Sequence, residues 1–429
     1  MHQHSSKILP LNSLCIICGP SKGGKTTFCE SKFENYEIVN PEKIKFDILG
    51  DEHRNDINHF IWNEIYKRTA LKLSLGERVV IDSNNLKKQN RINIANIAIR
   101  YGIPIFYIIV NRSLKDKIES SPRDKMVIEK QEGFFLENEK DILKGDGIAE
   151  VIDTRSQDFK VIKKFPLTNI LSEVKERGFN GVTVIGDVHG CLQAMRQSIM
   201  WAMMRRNLIV FLGDIVDYGP NSLECIDEVY KTLTNGLAIM VFGNHERKIE
   251  RWLEQVKQGQ LKVKLSDGNK ITTDAIEALT YQEREKFEVK FKTVLNLSRH
   301  HWVIGDAMFV HGAGLPEMWD LHSTRLYGRL ENISLFGETN QEDPFKEDGY
   351  PNRIYNWIEL IQKNKIIFVG HDIRQTEMPL VVQGMRGGQA VFMDTGSGKS
   401  VLGKAGRLHS ADITFSEDGL PKIQNFVQN

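Results

Sequence analysis

Five short apolar segments in the second half of the chain each end beside a glycine in an aspartate, an asparagine or a histidine. The residues at these ends are, in chain order, Asp187 with His189, Asp214, Asn244, His311 and His371. Apolar runs of this length predict buried strands, and the carboxyl ends of parallel strands meet at one edge of a sheet. Carboxylate, amide and imidazole groups that converge there suit a divalent metal. The sequence therefore predicts a metal site in the second half.

The first half begins with an apolar run, Leu14–Cys18, that leads into a glycine-rich segment at residues 19–26. This segment fits G-x-x-x-x-G-K-[ST], in which loop amides cradle phosphate oxygens and the following helix adds its positive N-terminus. A glycine-rich turn without a ligand is the alternative. The predicted nucleotide-binding residues are Gly19, Gly23, Gly24, Lys25, Thr26 and Thr27, with Lys25 directed at the β and γ phosphates and Thr26 a ligand of Mg²⁺.

Strand-like and helix-like segments alternate through the first half, with a helix predicted at residues 56–75 and strands at 78–82 and 104–110. Such alternation is typical of an α/β fold with a parallel, doubly wound sheet. We place the domain boundary near Phe165, which gives a first domain over residues 1–165 and a second over 166–429.

Two further features of the first half are candidates for the nucleotide site. Asp82 ends a predicted strand and is a candidate to order the magnesium waters, with a loop-capping aspartate as the alternative. In small P-loop kinases, a polar segment such as residues 111–130 forms the lid that places basic groups on the transferring phosphate, and a solvated helical face is the alternative. Its basic residues are Arg112, Lys115, Lys117, Arg123 and Lys125, of which Arg123 and Lys125 are predicted to bind the nucleotide.

The composition argues against several other classes of protein. The chain has 429 residues, of which 41% are hydrophobic and 26% charged, with a net charge of +1, as expected for a globular protein of two or three domains. Its longest apolar runs are far shorter than the ~20 residues that span a bilayer, so we expect no membrane association. Five cysteines without a secretion signal indicate reduced thiols and a cytoplasmic location. Core packing is favoured over a redox or zinc pair for Cys15 and Cys18.

The motifs D-x-H, G-D-x-x-D-x-G and G-N-H-E, followed by two late histidines, resemble the calcineurin-like superfamily of binuclear metallophosphoesterases. The resemblance implies a β-sandwich flanked by helices. It also implies that His245 is the general acid and that Asp217 orients its imidazole. The implied ligands are Asp187, His189 and Asp214 for one metal, and Asp214, Asn244, His311 and His371 for the other, with Mn²⁺ the expected ion.

The two halves together resemble bacterial polynucleotide kinase-phosphatases, which heal broken RNA ends. Segments similar to that family's phosphatase lie at residues 335–339, 350–357, 370–374 and 394–399. The resemblance implies ATP with Mg²⁺ for a 5′-hydroxyl kinase, with Glu42 in the place of the general base and Lys45 where an arginine is usual. It implies RNA ends as the partner, with DNA ends and a homodimer left open. The family's ligase module is absent from the sequence, so a separate RNA ligase is expected to seal the ends.

One departure from the family leaves the substrate open. The residue after Asp217 is usually an arginine that clamps phosphate, and in this chain it is Tyr218. Either another cation binds the phosphate, or the substrate has changed. The candidate cations are Arg325, Arg329, Arg353 and Arg374. The alternatives are a protein serine/threonine or dinucleotide-polyphosphate phosphatase with a regulatory P-loop domain, and a non-enzymatic module that binds RNA ends.

Overall fold

The structure is a computed structural model that describes residues 7–51, 56–120, 125–260, 262–340, 342–343, 345 and 351–429. The chain forms two compact units. The first comprises Met1–Lys163 and Thr280–Thr293, and the second comprises Lys164–Leu279 and Val294–Asn429. Within the described residues, no helix combines the length and the apolar character needed to cross a bilayer.

The core of the first unit is a parallel sheet whose described strands follow the order β3-β4-β2-β5-β6. The strands of this unit are β1 (Lys7–Leu9), β2 (Leu14–Cys18), β3 (Ile38–Val39), β4 (Val79–Ile81), β5 (Ile105–Ile109), β6 (Glu150–Asp153) and β7 (Phe159–Val161). Strand β2 is buried along its whole length, because helices cover both faces of a parallel sheet. Cys15 and Cys18 are three residues apart and so point to opposite faces, where each packs in a separate apolar cluster.

Helices connect these strands, as the alternation in the sequence predicts. They are α1 (Lys25–Lys32), α2 (Pro41–Leu49), α3 (Asn58–Ser74), α4 (Lys88–Tyr101), α5 (Leu114–Glu119) and α6 (Lys125–Leu143). Short 3₁₀ helices lie at Asn35–Glu37 and Gly145–Gly147. Local sequence signals set the bounds of α2, since the Asn40 side chain caps its first turn, Pro41 occupies its first position and Gly50 ends it in a left-handed conformation.

The segment Thr280–Thr293 packs with the first unit, although the sequence analysis placed it within the second domain. Val289 belongs to the apolar cluster under the parallel sheet. Asn12 donates a hydrogen bond to the buried Thr293 hydroxyl at 3.2 Å, and Arg100 forms an ion pair with Glu285. These contacts join residues far apart in sequence, so no local pattern could reveal them.

The second unit is built on two sheets whose inner faces share one apolar cluster. The first has the order β10-β9-β8-β18-β19 and the second the order β11-β12-β15-β17-β16. The strands are β8 (Gly181–Ile185), β9 (Asn207–Phe211), β10 (Ala238–Met240), β11 (His301–Ile304), β12 (Ala307–Val310), β13 (Glu338–Thr339), β14 (Arg353–Ile354), β15 (Ile366–Val369), β16 (Leu380–Gln383), β17 (Gln389–Phe392), β18 (His409–Phe415) and β19 (Pro421–Gln428). Strands β13 and β14 pair only with each other among the described residues.

Helices occupy the connections between the strands of the second unit. They are α7 (Ile170–Glu176), α8 (Leu192–Arg205), α9 (Ser222–Thr234), α10 (Asn244–Lys257), α11 (Asp267–Glu277), α12 (Tyr281–Leu297), α13 (Arg329–Phe336), α14 (Asn356–Glu359) and α15 (Ser397–Val401), with a 3₁₀ helix at Pro316–Trp319. Helix α12 begins within the segment assigned to the first unit and ends in the second. Strands β8, β9 and β10 are mutually parallel, as are β12 and β15, so their carboxyl ends share an edge within each sheet.

A buried ion pair stabilises the first unit. The Arg91 guanidinium donates two hydrogen bonds to Asp146, at 2.7 and 3.0 Å, and both side chains are fully buried. We expect Asp146→Asn, which keeps the left-handed backbone accessible at φ 50°, to destabilise the first unit by about 3 kcal/mol, because it leaves a buried guanidinium without its counter-charge. Hydrogen exchange of the β5 amides measures this loss in the first unit by itself.

The matched control is Glu119→Gln, which breaks the exposed pair with Lys115. It should change the free energy of unfolding by less than about 0.5 kcal/mol. Equal effects of the two substitutions would contradict the importance of the buried pair.

Candidate functional site

The polar residues at the five strand ends of the second unit come together around Asp214. Ligand atoms of His189, Asp214 and His245 all lie within 4.8 Å of one another, and so do those of Asp214, His311 and His371. The Oδ2 atom of Asp214 is 3.3 Å from His311 Nε2 and 4.0 Å from His189 Nε2. The Oδ1 atom of Asn244 is 2.9 Å from His311 Nε2. Asp214 therefore stands between two groups of ligands.

Backbone carbonyls fix the orientation of two of the imidazoles. The Nδ1 atom of His189 donates to Val216 O at 3.0 Å, and that of His311 donates to Leu212 O at 2.6 Å. In His189 this bond leaves Nε2 as the lone-pair nitrogen directed toward Asp214, whereas in His311 Nε2 faces the oxygens of Asp214 and Asn244. Although burial opposes the charged form, Asp214 raises the pKa of His311. Burial lowers the pKa of His189 to about 4, which keeps its imidazole neutral, the form that binds metals.

The carboxylates of the site are buried together. Burial and the neighbouring carboxylates of Asp394 and Asp214 raise the pKa of Asp187 well above its usual range. Burial favours the neutral form of Asp214 too, but the imidazoles of His311 and His245 hold its pKa well below its usual range. Asp187 Oδ1 is buried and has no hydrogen-bond partner among the described residues. An unpartnered oxygen within a cluster of acids fits a site for cations.

His245 differs from the other imidazoles of the site because its Nδ1 donates to Asp217 Oδ2 at 2.5 Å. Although burial opposes the charged form, Asp214 and Asp217 raise the pKa of His245 to about 9. A protonated imidazole cannot bind a metal but can donate a proton. Its Nε2 lies 3.8 Å from Asp214 Oδ2, a distance similar to the 4.0 Å of His189 Nε2, so distance alone does not separate the predicted general acid from the predicted ligands.

Several residues that support the site were missed by the sequence analysis. The Glu246 carboxylate accepts hydrogen bonds from the backbone amides of Asp214, Ile215 and Val216 at 2.9, 2.7 and 3.2 Å. Burial raises the pKa of Glu246 to about 7. The Asn269 side chain, from α11, donates to Asp217. Glu246 belongs to the G-N-H-E motif, but no pattern marks Asn269, which reaches the site only through tertiary packing.

Asp394 lies in the segment 394–399 that resembles the family's phosphatase, but the sequence analysis gave it no role in the site. It follows the apolar strand β17 as the other polar residues follow theirs. Burial raises the pKa of Asp394 to about 6. The adjacent helix α15 contacts the site through Ser397, whose hydroxyl donates to Asp187 O at 2.5 Å.

The candidate nucleotide site of the first unit lies between β2 and α1. The Lys25 ammonium donates to Pro20 O and to Asn84 Oδ1, both at 2.7 Å, and burial lowers its pKa to about 8. The Thr26 hydroxyl donates to Asp82 Oδ2 at 3.0 Å. Asn40 donates to the same oxygen at 2.7 Å. The structure thus brings Lys25, Thr26 and Asp82 together as the sequence predicts.

The glycine-rich loop needs its first glycine because the backbone there lies close to the Val110 carbonyl. A Cβ atom on Gly19 would lie 2.0 Å from Val110 O, so any larger residue would move β5 or the loop. Gly23 and Gly24 follow in the turn before α1, and Gly24 adopts a left-handed conformation at φ 90°. Thr27 is exposed on the first turn of α1.

The other residues predicted to act in the first unit differ in their exposure to solvent. Glu42 is exposed on the first turn of α2, and its charge raises the pKa of Lys25 against the effect of burial. Lys45 is buried. Lys125 has 66% of its side chain exposed and pairs with Glu129 at 3.7 Å, which agrees with a solvated helical face. Arg123 lies outside the described residues.

Comparisons with known proteins match both halves of the chain. Residues 181–375 match the calcineurin-like phosphoesterase family, and residues 14–118 match a family described as an AAA domain. The asymmetrical bis(5′-nucleosyl)-tetraphosphatase PrpE of Halalkalibacterium halodurans is 31% identical over 201 residues, which cover 44% of this chain and 76% of the relative. The chain belongs to the calcineurin-like metallophosphoesterases.

A second relative and a solved structure are also similar. PrpE of Oceanobacillus iheyensis is 28% identical over 205 residues, covering 44% of this chain and 76% of the relative. A solved structure of a proposed diadenosine tetraphosphatase is 20% identical with a TM-score of 0.36, and the match covers 59% of this chain and 95% of that chain. The predicted fold class is confirmed: an N-terminal P-loop, kinase-like α/β domain is followed by a calcineurin-like metallophosphoesterase domain.

Calcineurin-like metallophosphoesterases use two divalent metals, and the candidate ligands around Asp214 fit two cations. We expect the wild-type protein to bind two Mn²⁺ ions, His189→Ala to keep one, and Asp214→Ala to bind less than one, because Asp214 alone is shared by both groups of ligands. Equilibrium dialysis followed by elemental analysis measures the stoichiometry. Asp267→Ala, at a side chain that is 99% exposed, is the control. Two ions bound by Asp214→Ala would refute the shared role.

The lowered pKa of Lys25 predicts a pH-dependent affinity for ATP. Lys25 is charged below a pKa of about 8 and loses its proton above it. Bound phosphate prefers the charged ammonium, so binding above pH 8 requires proton uptake, and the affinity should fall by up to about tenfold per pH unit. Titration calorimetry at pH 7 and 9.5, in buffers of different ionisation enthalpy, measures both effects. Lys25→Met should bind weakly at both pH values, and a flat profile for the wild type would contradict the expectation.

Proposed function

We propose that this protein heals nucleic-acid ends through two separate reactions. The first domain transfers the γ-phosphate of ATP to a 5′-hydroxyl end, and the second removes a 3′-phosphate or a 2′,3′-cyclic phosphate. One observation carries the proposal: a P-loop site with Lys25, Thr26 and Asp82 in contact and a cluster of metal ligands around Asp214 occur in the same chain. A kinase-like and a phosphoesterase domain together suit a substrate that gains phosphate at one end and loses it at the other.

In the kinase reaction, the side chains of the first unit hold the nucleotide and the acceptor. Lys25 neutralises the β and γ phosphates, and Thr26 with Asp82 positions Mg²⁺. Glu42 accepts the proton of the attacking 5′-hydroxyl, which its exposure on the first turn of α2 permits. The Lys25 ammonium, which donates to Asn84 Oδ1, would exchange that contact for the phosphates.

In the phosphatase reaction, the chain supplies the proton and the geometry. The ligands around Asp214 would hold divalent metals, which would lower the pKa of a bound water and stabilise charge on the reacting oxygens. His245 protonates the leaving oxygen from Nε2, while Asp217 holds its Nδ1–H and keeps the imidazole charged. Glu246 binds three successive amides and so fixes Asp214 relative to His245.

The proposed partners are RNA ends, with DNA ends as the competing substrate, and a separate ligase that seals the healed strand. Five unpaired cysteines agree with a reducing compartment such as the cytoplasm. We propose Mn²⁺ as the metal of the phosphatase domain, since imidazole and carboxylate ligands occur together in the cluster.

Substitutions in the two sites should separate the two activities. We expect Lys25→Ala to reduce 5′-phosphorylation by at least about a hundredfold and to leave 3′-dephosphorylation intact, because it removes charge stabilisation at one site only. Asp187→Ala should do the reverse. The assay offers oligonucleotides with 5′-hydroxyl, 3′-phosphate or 2′,3′-cyclic-phosphate ends, in RNA and DNA forms, with ATP and Mg²⁺ or Mn²⁺.

Matched controls are Lys163→Ala and Asp267→Ala, since both side chains are largely exposed. Neither should change either activity. Loss of both activities from Lys25→Ala or from Asp187→Ala alone would exclude two independent sites.

A second candidate function is hydrolysis of dinucleoside polyphosphates, with the P-loop domain as a nucleotide-dependent regulator. The similar bis(5′-nucleosyl)-tetraphosphatases favour it, and so does Tyr218 in the place of the usual phosphate-clamping arginine. Diadenosine tetraphosphate offered beside the oligonucleotides decides between the two. If kcat/KM for the dinucleotide is far above that for every 3′-end and no 5′-phosphorylation occurs, the function is dinucleotide hydrolysis and not end healing.

A further inference from the structure

Three aromatic rings lie beside one another in the metallophosphoesterase site. The ring centroids of Tyr218 and His189 are 4.9 Å apart, with an interplanar angle of 87°. Those of Tyr218 and His245 are 5.6 Å apart, at 52°, and those of His189 and His245 are 4.9 Å apart, at 81°. The Tyr218 ring is therefore next to both a predicted metal ligand and the predicted general acid.

The backbone at Tyr218 has a conformation that is costly for a bulky residue. Its φ is 62° and that of the preceding Asp217 is 77°, both in the left-handed region. The Asp217 amide donates to the hydroxyls of Ser222 and Thr272, each at 3.0 Å. The Tyr218 amide donates to Gly268 O at 3.1 Å. Residues other than glycine keep such conformations mainly at functional sites, so the strain makes Tyr218 a candidate functional residue.

Helix α11 leaves room for the Tyr218 ring. A Cβ atom on the buried Gly268, in the first turn of α11, would lie 2.6 Å from the ring. Gly268 does not have a positive φ, so the nearby ring rather than backbone freedom explains the glycine. Tyr218 is half-buried, which lets a bound molecule reach it. The ring is thus held in place at a wall of the site.

The four arginines that were candidates to bind phosphate each contact another group. Their neighbours are His371 and Asp372 for Arg353, the Tyr355 ring for Arg374, the Phe242 ring for Arg325, and Glu317 with Glu338 for Arg329. Position 218 itself adds a ring without positive charge. Tyr218 therefore suits the organic part of a substrate better than its phosphate.

The neighbouring His245 indicates which organic group meets the ring. In the proposed reaction His245 gives its proton to the leaving oxygen, so the group bonded to that oxygen lies beside His245. With 5.6 Å between the two ring centroids, this group is within reach of Tyr218. Nucleobases stack on aromatic side chains, and one stacked base changes affinity by about five- to 150-fold. A leaving group that carries a base would gain from this contact.

We propose that Tyr218 is a specificity-determining residue that binds the leaving group, and that the preferred leaving group is a nucleoside whose base stacks on the ring. This inference deepens the proposed function and rests on its phosphoesterase part. The substrate class is a phosphate ester of a nucleoside hydroxyl, as at the 3′ end of a nucleic acid. An ester of a simple alcohol gains little from the ring.

Two esters of secondary alcohols, one with a base and one without, test the proposal on the Mn²⁺-loaded protein. We expect kcat/KM of the wild type for adenosine 3′-phosphate to exceed that for glycerol 2-phosphate by at least about tenfold. Tyr218→Leu should lower kcat/KM for adenosine 3′-phosphate by about tenfold and leave that for glycerol 2-phosphate unchanged. Tyr218→Phe should keep the wild-type ratio, because it keeps the ring. Tyr327→Leu, at a tyrosine that is 78% exposed, is the control.

A second substitution displaces the ring without removing it. Gly268→Ala places a methyl group against the Tyr218 ring and should lower the ratio of the two kcat/KM values. In the Tyr218→Leu background, Gly268→Ala should have no further effect on the ratio, because the two substitutions act on one contact. Additive effects would show that Gly268→Ala disturbs the site by another route and would contradict the packing argument.

The other outcomes are equally decisive. A wild-type ratio near one would overturn the proposal, and so would an equal loss on both esters in Tyr218→Leu, which would show that the ring acts through His189 or His245. A ratio in Tyr218→Phe as low as in Tyr218→Leu would assign the selectivity to the hydroxyl and also overturn it. Hydrolysis of p-nitrophenyl phosphate is measured alongside. If the wild type hydrolyses none of the three esters, the phosphoesterase part of the proposed function has itself failed.

Discussion

The site of the second unit is built around buried carboxylates that have few positively charged neighbours. Asp187, Asp214 and Asp394 lie together, and burial alone favours the neutral form of each. The imidazoles around Asp214 offset part of this cost, and backbone amides stabilise Glu246 beside them. The remaining negative charge makes the cluster a site for cations, because desolvated carboxylates gain most from a charge at close range. The same arrangement keeps His245 protonated while His189 stays neutral.

Sheet topology explains why these groups meet. Parallel pairing of β8, β9 and β10 places the residues after each strand at one edge, and the parallel pair β12 and β15 does so in the second sheet. The two sheets share a core, so both edges are held in fixed register by apolar packing. Left-handed backbone conformations at His189, Asp214 and His371 then turn the chain sharply after the strands. Such conformations are costly for residues other than glycine and are kept where the surroundings determine them.

The sequence predicted the parts of this protein that local pattern controls. Apolar runs that end beside glycine identified the strands, and the residues after them, including Asp214 and His311, do converge. The pattern of β2 and the residues that follow it identified the P-loop. Contributions from distant segments were not predictable in the same way. Asn269, on α11, donates to Asp217, and Val289 packs in an apolar cluster whose other members are far away in sequence. Of the four candidate arginines, only the folded chain shows that Arg353 contacts His371. Asp394 could have been predicted, since it also follows an apolar strand.

The two domains handle phosphate by opposite electrostatic means. The P-loop offers backbone amides and the Lys25 ammonium, whose charged form is disfavoured by burial and would gain from a negatively charged ligand. The metallophosphoesterase site presents buried carboxylates, which repel a phosphate unless cations come between them. A cationic side chain at the edge of that site has a distinct value, because it attracts the substrate oxygens directly. Arg353 lies at this edge, where Asp372 and the Phe336 carbonyl bind its guanidinium.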